Sequence, residues 1–230
     1  MWPAARLAFA IAWACVCLAS QPLPIGIFLD FANQPEAALV DLMKSEIREI
    51  LAPAQLRLSF QRLGESGASQ PFRKIVVIRF QGSCHTQADS GNIQLDEPGI
   101  LDSPALGRTN VASGRILPYV KIFCNEVRAF VPAVSSISYA RMYGRALGRV
   151  VAHELYHALL STRAHSKTGV AQSAQTAHDL TREKLALDAR SISLLRDLYG
   201  PKEKEGDSLE PPSDPERHLI VPVSQSGANQ

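Results

Sequence analysis

The chain has no large excess of either charge. Its 24 Lys+Arg against 22 Asp+Glu leave +2 at neutral pH in 230 residues. That removes the electrostatic case for nucleic acid, which needs a much larger and clustered basic excess. It equally removes the case for an acidic, disordered chain. Past its first twenty residues the sequence has no apolar run approaching the ~20 needed to span a bilayer. Glycine-rich phosphate loops, Asn-x-Ser/Thr acceptors and internal repeats are also missing. Cysteine is scarce, with four in all, two of them in the opening segment. What remains is a 46% apolar chain, suited to one core and one enzyme or binding domain.

Residues 1–20 read MWPAARLAFAIAWACVCLAS, with Arg6 ahead of an apolar run from Leu7 to Ala19. That run is too short to cross a bilayer and fits the core of a signal peptide, with cleavage after Ala19 or Ser20. The mature chain is therefore expected to be secreted or periplasmic, monomeric and without a membrane span. Export leaves Cys84 and Cys124, which an oxidising compartment should pair. Closing that loop should stabilise the fold by about 3–4 kcal/mol on chain-entropy grounds.

Ile25–Phe31 is β-branched and apolar and reads as a first strand. Pro35 opens a helical stripe ending at Leu51 before Pro53. Leu56–Phe60 alternates as a half-buried strand, and Lys74–Phe80 (KIVVIRF) is apolar enough for a central one. The pattern weakens from Gly82 to Pro118, after which Val120, Ile122 and Cys124 suggest a strand at an edge. Ser135 or Ser136 can cap a long helix to about Leu160. A further helix is predicted from Thr176 to Tyr199, stopped by Gly200-Pro201. The domain plan is thus a signal peptide (1–20), one folded domain (21–200) and a Pro/Ser-rich charged tail (201–230).

The long predicted helix contains His153-Glu154-Leu155-Tyr156-His157. Four residues advance a helix by about 400°, so the two histidines project about 40° apart, one turn from each other. Imidazoles so placed can share one Zn²⁺ at about 2.0–2.1 Å. Glu154, about 100° round from His153, is poorly aimed as a ligand but well placed beside a zinc-bound water, whose proton a carboxylate can take and return.

On AHELYH (152–157) and the order of elements around it, the chain resembles the zincin metallopeptidases. The resemblance implies an α+β fold, a twisted mixed β-sheet with an active-site helix and a C-terminal helix. Metzincins within that group read HExxHxxGxxH. Here the glycine position is Leu160 and the third histidine position is Arg163, but His165 follows two residues later. HALLSTRAHSKTG is similar to a metzincin site with a longer turn out of the helix, and no methionine follows Met142 to supply the methionine turn. The gluzincin pattern would instead take Glu183 from the next helix, with Asp179 and His178 as weaker donors.

The resemblance thus implies an exported zinc-dependent metallopeptidase. His153, His157 and His165 hold Zn²⁺, Glu154 is the catalytic base, and an edge strand near 120–124 pairs with an extended peptide or protein substrate. The alternative is a zincin-fold zinc-binding protein that cleaves nothing. Asp188 is a candidate to orient a ligand imidazole, and Tyr156 and Tyr199 to steady an oxyanion.

Overall fold

The computed structural model describes residues 22–65, 70–86, 105–133 and 135–201. The predicted signal segment and all but the first residue of the predicted tail lie outside these. Five strands form one mixed sheet: β1 (Ile25–Phe31), β2 (Leu58–Arg62), β3 (Lys74–Gln81), β4 (Gly107–Ala112) and β5 (Arg115–Phe123), in the spatial order β2-β1-β3-β5-β4. The first four in that order run parallel, while β4 closes the sheet antiparallel to β5. Helices α1 (Ala37–Leu51), α2 (Cys124–Ala129), α3 (Ser136–Leu160), α4 (Ala177–Thr181) and α5 (Ala189–Tyr199) complete the fold. This is the α+β plan expected from the sequence. No described helix is long and apolar enough to cross a membrane.

Period-2 burial sets the inner face of the sheet. Ile25, Ile27 and Leu29 of β1, Val76, Ile78 and Phe80 of β3, and Val120 and Ile122 of β5 are all buried. They join one core with Leu39, Met43 and Ile47 of α1 and Leu147, Val151 and Leu155 of α3. Helices α1 and α3 approach closely because α3 carries glycine where they meet. A Cβ at Gly144 would stand 2.6 Å from Leu42 Cβ, and one at Gly148 2.7 Å from Glu46 Cβ. Such distances would push the helices apart, tilting the motif-bearing end of α3.

Cys84 and Cys124 are joined as a disulfide, tying the segment after β3 to the start of α2. Two expectations are corrected. Val120 and Ile122 belong to β5, which lies inside the sheet, and Cys124 opens α2; the edge on that side is β4, in the stretch from Gly82 to Pro118 where the pattern is weak. The single helix predicted over Thr176–Tyr199 is two, α4 and α5, with residues 182–188 between them. A capping box between Thr176 and Asp179 starts α4, and Asp188 caps α5 through the Ser191 N–H.

The break has an electrostatic cause. Arg149 is fully buried in α3. Its guanidinium bonds Glu46 at 2.7 Å and donates to the Asp179 carbonyl at 2.6 Å and the Glu183 carbonyl at 3.2 Å. Arg145 takes the Thr181 carbonyl at 2.8 Å. Two arginines one turn apart therefore claim carbonyls that a continuing helix would need for itself.

Candidate metal centre

Helix α3 ends where its second histidine needs it to end. Ser161 takes a left-handed conformation (φ 50°) and donates its N–H to the His157 carbonyl. A serine, not a glycine, takes the left-handed conformation that turns the chain out of the helix. The next residue, Thr162, supplies the carbonyl that receives His157 Nδ1 at 2.8 Å. Farther along the loop, the Val170 carbonyl receives His153 Nδ1, also at 2.8 Å. Val170 is itself pinned, its N–H bonded to the Ala186 carbonyl at 2.9 Å.

A carbonyl only accepts, so both Nδ1 atoms carry the proton and both Nε2 atoms present lone pairs. Those two Nε2 atoms face each other at 3.1 Å. Burial, the largest influence on each ring, drives His153 and His157 below the ordinary imidazole pKa, which keeps them neutral and fit to ligate. The loop brings a third ring alongside. His165 lies 5.3 Å from the His153 ring and 4.7 Å from the His157 ring, centre to centre. One nitrogen from each of the three lies within 4.8 Å of the others.

Glu154 is buried at 6% exposure. Its Oε2 accepts a hydrogen bond from Thr109 Oγ1 at 2.6 Å, so a side chain of the edge strand holds the carboxylate of the helix. The neighbouring strand residue makes this possible: a Cβ at Gly107 would stand 2.9 Å from both Cγ and Oε1 of Glu154. Burial raises the Glu154 pKa above the usual carboxylate value, against the Thr109 hydrogen bond and the nearby imidazoles, which lower it.

Histidines and glutamate open into a cleft of about 1050 Å³. Strand β4 lines one side and residues 172–175 another, with Ile116, Leu117, Phe130 and Val150 supplying apolar surface. Donor chemistry in the cleft suits zinc. With bonds of 2.0–2.1 Å and tetrahedral angles, two ligating nitrogens stand about 3.3 Å apart, close to the 3.1 Å between the paired Nε2 atoms. Without a cation, two lone pairs at that distance repel.

Other candidates lie elsewhere. Glu183 is exposed and outside the histidine group, which is the only possible metal cluster among the described residues. Its backbone is held by Arg149, and Asp179 is spent on capping α4. Asp188 touches no imidazole. It accepts from Ser166 Oγ, beside His165, and from Ser191 Oγ at 2.6 Å. Burial pushes its pKa up, but these hydrogen bonds outweigh it and hold the carboxyl at about 2. Tyr199 gives its hydroxyl to the Leu159 carbonyl at 2.9 Å, and neither it nor Tyr156 lines the cleft. Thr109 and Gly107 escaped the sequence reading because they sit in a strand without alternation. Thr162 and Val170 act through carbonyls, which leave no mark on residue identity.

No protein-family model matches the chain, and no curated protein matches its sequence. Among solved structures it is similar to an archaemetzincin. That protein, from Methanopyrus kandleri, shares 12% identity at a TM-score of 0.45, over 76% of this chain and 94% of the other. At that level the likeness says nothing about ligands or chemistry, which rest on the side chains above.

Proposed function

We propose that the chain is an exported zinc-dependent peptidase, with His153, His157 and His165 holding the metal and Glu154 as the general base. One observation carries the reading: two Nε2 lone pairs set 3.1 Å apart by carbonyl-bound Nδ1 protons, beside a buried carboxylate in an open cleft. Bound there, Zn²⁺ supplies a Lewis acid that polarises a carbonyl and brings the pKa of water at its open position to about 7. Glu154 Oε2 is engaged by Thr109, leaving Oε1 to take a proton from the attacking water and pass it to the departing amine. Strand β4, bonded to β5 on one side, offers its other edge to an extended peptide. A site that was structural only would fill its fourth position with protein and would have no use for Glu154.

Metal removal tests this. Purified chain should contain close to one zinc per molecule and cut casein or a mixed peptide library. A chelator should abolish cleavage, and stoichiometric zinc should restore it. A metal-free preparation that refuses zinc in titration would overturn the reading. Zinc binding without cleavage of any peptide would leave the non-catalytic alternative.

A further inference from the structure

Beside Glu154 and the three histidines, the charged side chains lining the cleft among the described residues are both cations, Arg108 and Arg163. Residues 105–123, which form β4 and β5, contain Arg108, Arg115 and Lys121 and no Asp or Glu. Residues 161–176, the loop between α3 and α4, contain Arg163 and Lys167 and again no Asp or Glu, the next carboxylate being Asp179 in α4. In a chain with 24 Lys+Arg and 22 Asp+Glu, this is segregation of charge and not a general excess. Among the described residues none of the five has a carboxylate within ion-pair distance, whereas Arg62, Arg79, Arg145, Arg149 and Arg182 each have one. Arg108 and Arg163 both line the cleft, and among the described residues its only acidic lining residue is Glu154, which is buried and hydrogen-bonded.

We propose that the cleft selects acidic peptide segments, with Asp or Glu side chains flanking the bond to be cut. This rests on the peptidase reading and names its substrate class. Register supplies the mechanism. Arg108 and Lys121 stand directly opposite each other across β4 and β5, a like-charge pair that is unfavourable when left alone. Thr109, next along, points the other way, towards Glu154. A peptide strand added to β4 therefore presents alternate side chains to the reacting groups and to the Arg108–Lys121 pair. A carboxylate in the second set replaces a repulsion with an attraction. Arg163, two residues before His165, lines the same cleft and adds a second cation within it. Nucleic acid, the other polyanion, fits poorly: two cations lining the cleft, with three more on the elements that flank it, are too few to follow a phosphate backbone.

Binding and cleavage test the proposal separately. Labelled decapeptides identical except for Glu, Gln or Lys at alternate positions are titrated by fluorescence anisotropy against the full-length Glu154→Gln chain, and then offered to the zinc-loaded wild type. The Glu peptide should bind about tenfold tighter than the Gln peptide at low salt, as expected for several exposed ion pairs acting together, and the Lys peptide weakest. The advantage should shrink in 0.5 M NaCl, where the Debye length falls to about 4 Å. Arg108→Glu with Arg163→Glu should reverse the order, with thermal unfolding showing that the exposed substitutions leave the fold intact. Equal binding of the three peptides, preference for Lys, an unchanged order in the charge-reversed chain, or equally tight binding of a single-stranded oligonucleotide would each overturn the proposal. Failure of the peptidase reading looks different: the binding order holds while zinc-loaded wild type cuts none of the three peptides.

Discussion

Replacing Glu154 with glutamine should leave zinc content at one per chain and lower kcat for peptide cleavage by about 10²–10⁴, the span associated with loss of a positioned general base. The side chain keeps its shape, and the amide oxygen can still accept the Thr109 hydroxyl that now reaches Oε2 at 2.6 Å. The histidine cradle is also untouched, since both helix histidines are oriented by carbonyls and not by Glu154. What the amide lacks is a lone pair basic enough to take a proton. KM should change little, because a residue that acts on the proton contributes to the transition state and not to ground-state binding. Cleavage that persists within threefold of wild type, with zinc bound, would remove Glu154 from the chemistry. A parallel loss of zinc would instead make it part of the metal cradle. Gly107→Ala provides a graded version: its methyl would stand 2.9 Å from Glu154 Oε1, so the carboxylate must shift by a few tenths of an ångström, and kcat should fall while zinc stays.

The motif helix was legible because two independent signals coincide there. Apolar residues at helical spacing, from Tyr143 to Leu159, set the buried face, and the His153–His157 interval places both rings on one side of it. The parallel strands were legible for a similar reason: β1 and β3 are apolar, β-branched runs, although only one face of β3 is fully buried. Strand β4 was not. An edge strand needs no two-sided burial, and Gly107, Thr109 and Asn110 are there for what they permit at Glu154 and the cleft, not for strand propensity. The break between α4 and α5 was hidden for another reason. Leu180, Leu185, Leu187 and Leu195 all point inward and mimic one helical stripe. The interruption comes from Arg149, thirty residues earlier, bonding the Asp179 carbonyl. Leu194 and Leu198 are exposed, since α5 restarts on its own phase after Asp188.

His165→Ala should weaken zinc binding by about two orders of magnitude, while Glu183→Ala should leave it unchanged. Apparent zinc affinities of about 10–16 kcal/mol shared among four donors put one donor at roughly 3 kcal/mol, and each 1.4 kcal/mol is tenfold. Competition against a chelator of known affinity measures both variants. The reverse result would move the third ligand to the segment between α4 and α5, which would have to break the hydrogen bond from Arg149 to the Glu183 carbonyl. Position matters for His165 more than for its partners, because its ring is exposed and stands on a loop. That loop is anchored at the next residue: Ser166 N–H bonds the Ala171 carbonyl at 2.8 Å, and its hydroxyl bonds Asp188. Asp188→Asn separates anchoring from folding. Its remaining oxygen can still cap α5 through the Ser191 N–H, now at 3.0 Å, but an amide nitrogen replaces the oxygen that accepts from both Ser166 Oγ and Ser191 Oγ. Zinc affinity should fall about tenfold, as is usual when a group supporting a ligand is lost, with the unfolding midpoint nearly unchanged. In a chain already carrying His165→Ala the same change should cost nothing further. A tenfold loss in both backgrounds would mean that Asp188 supports the fold at large and not the third histidine.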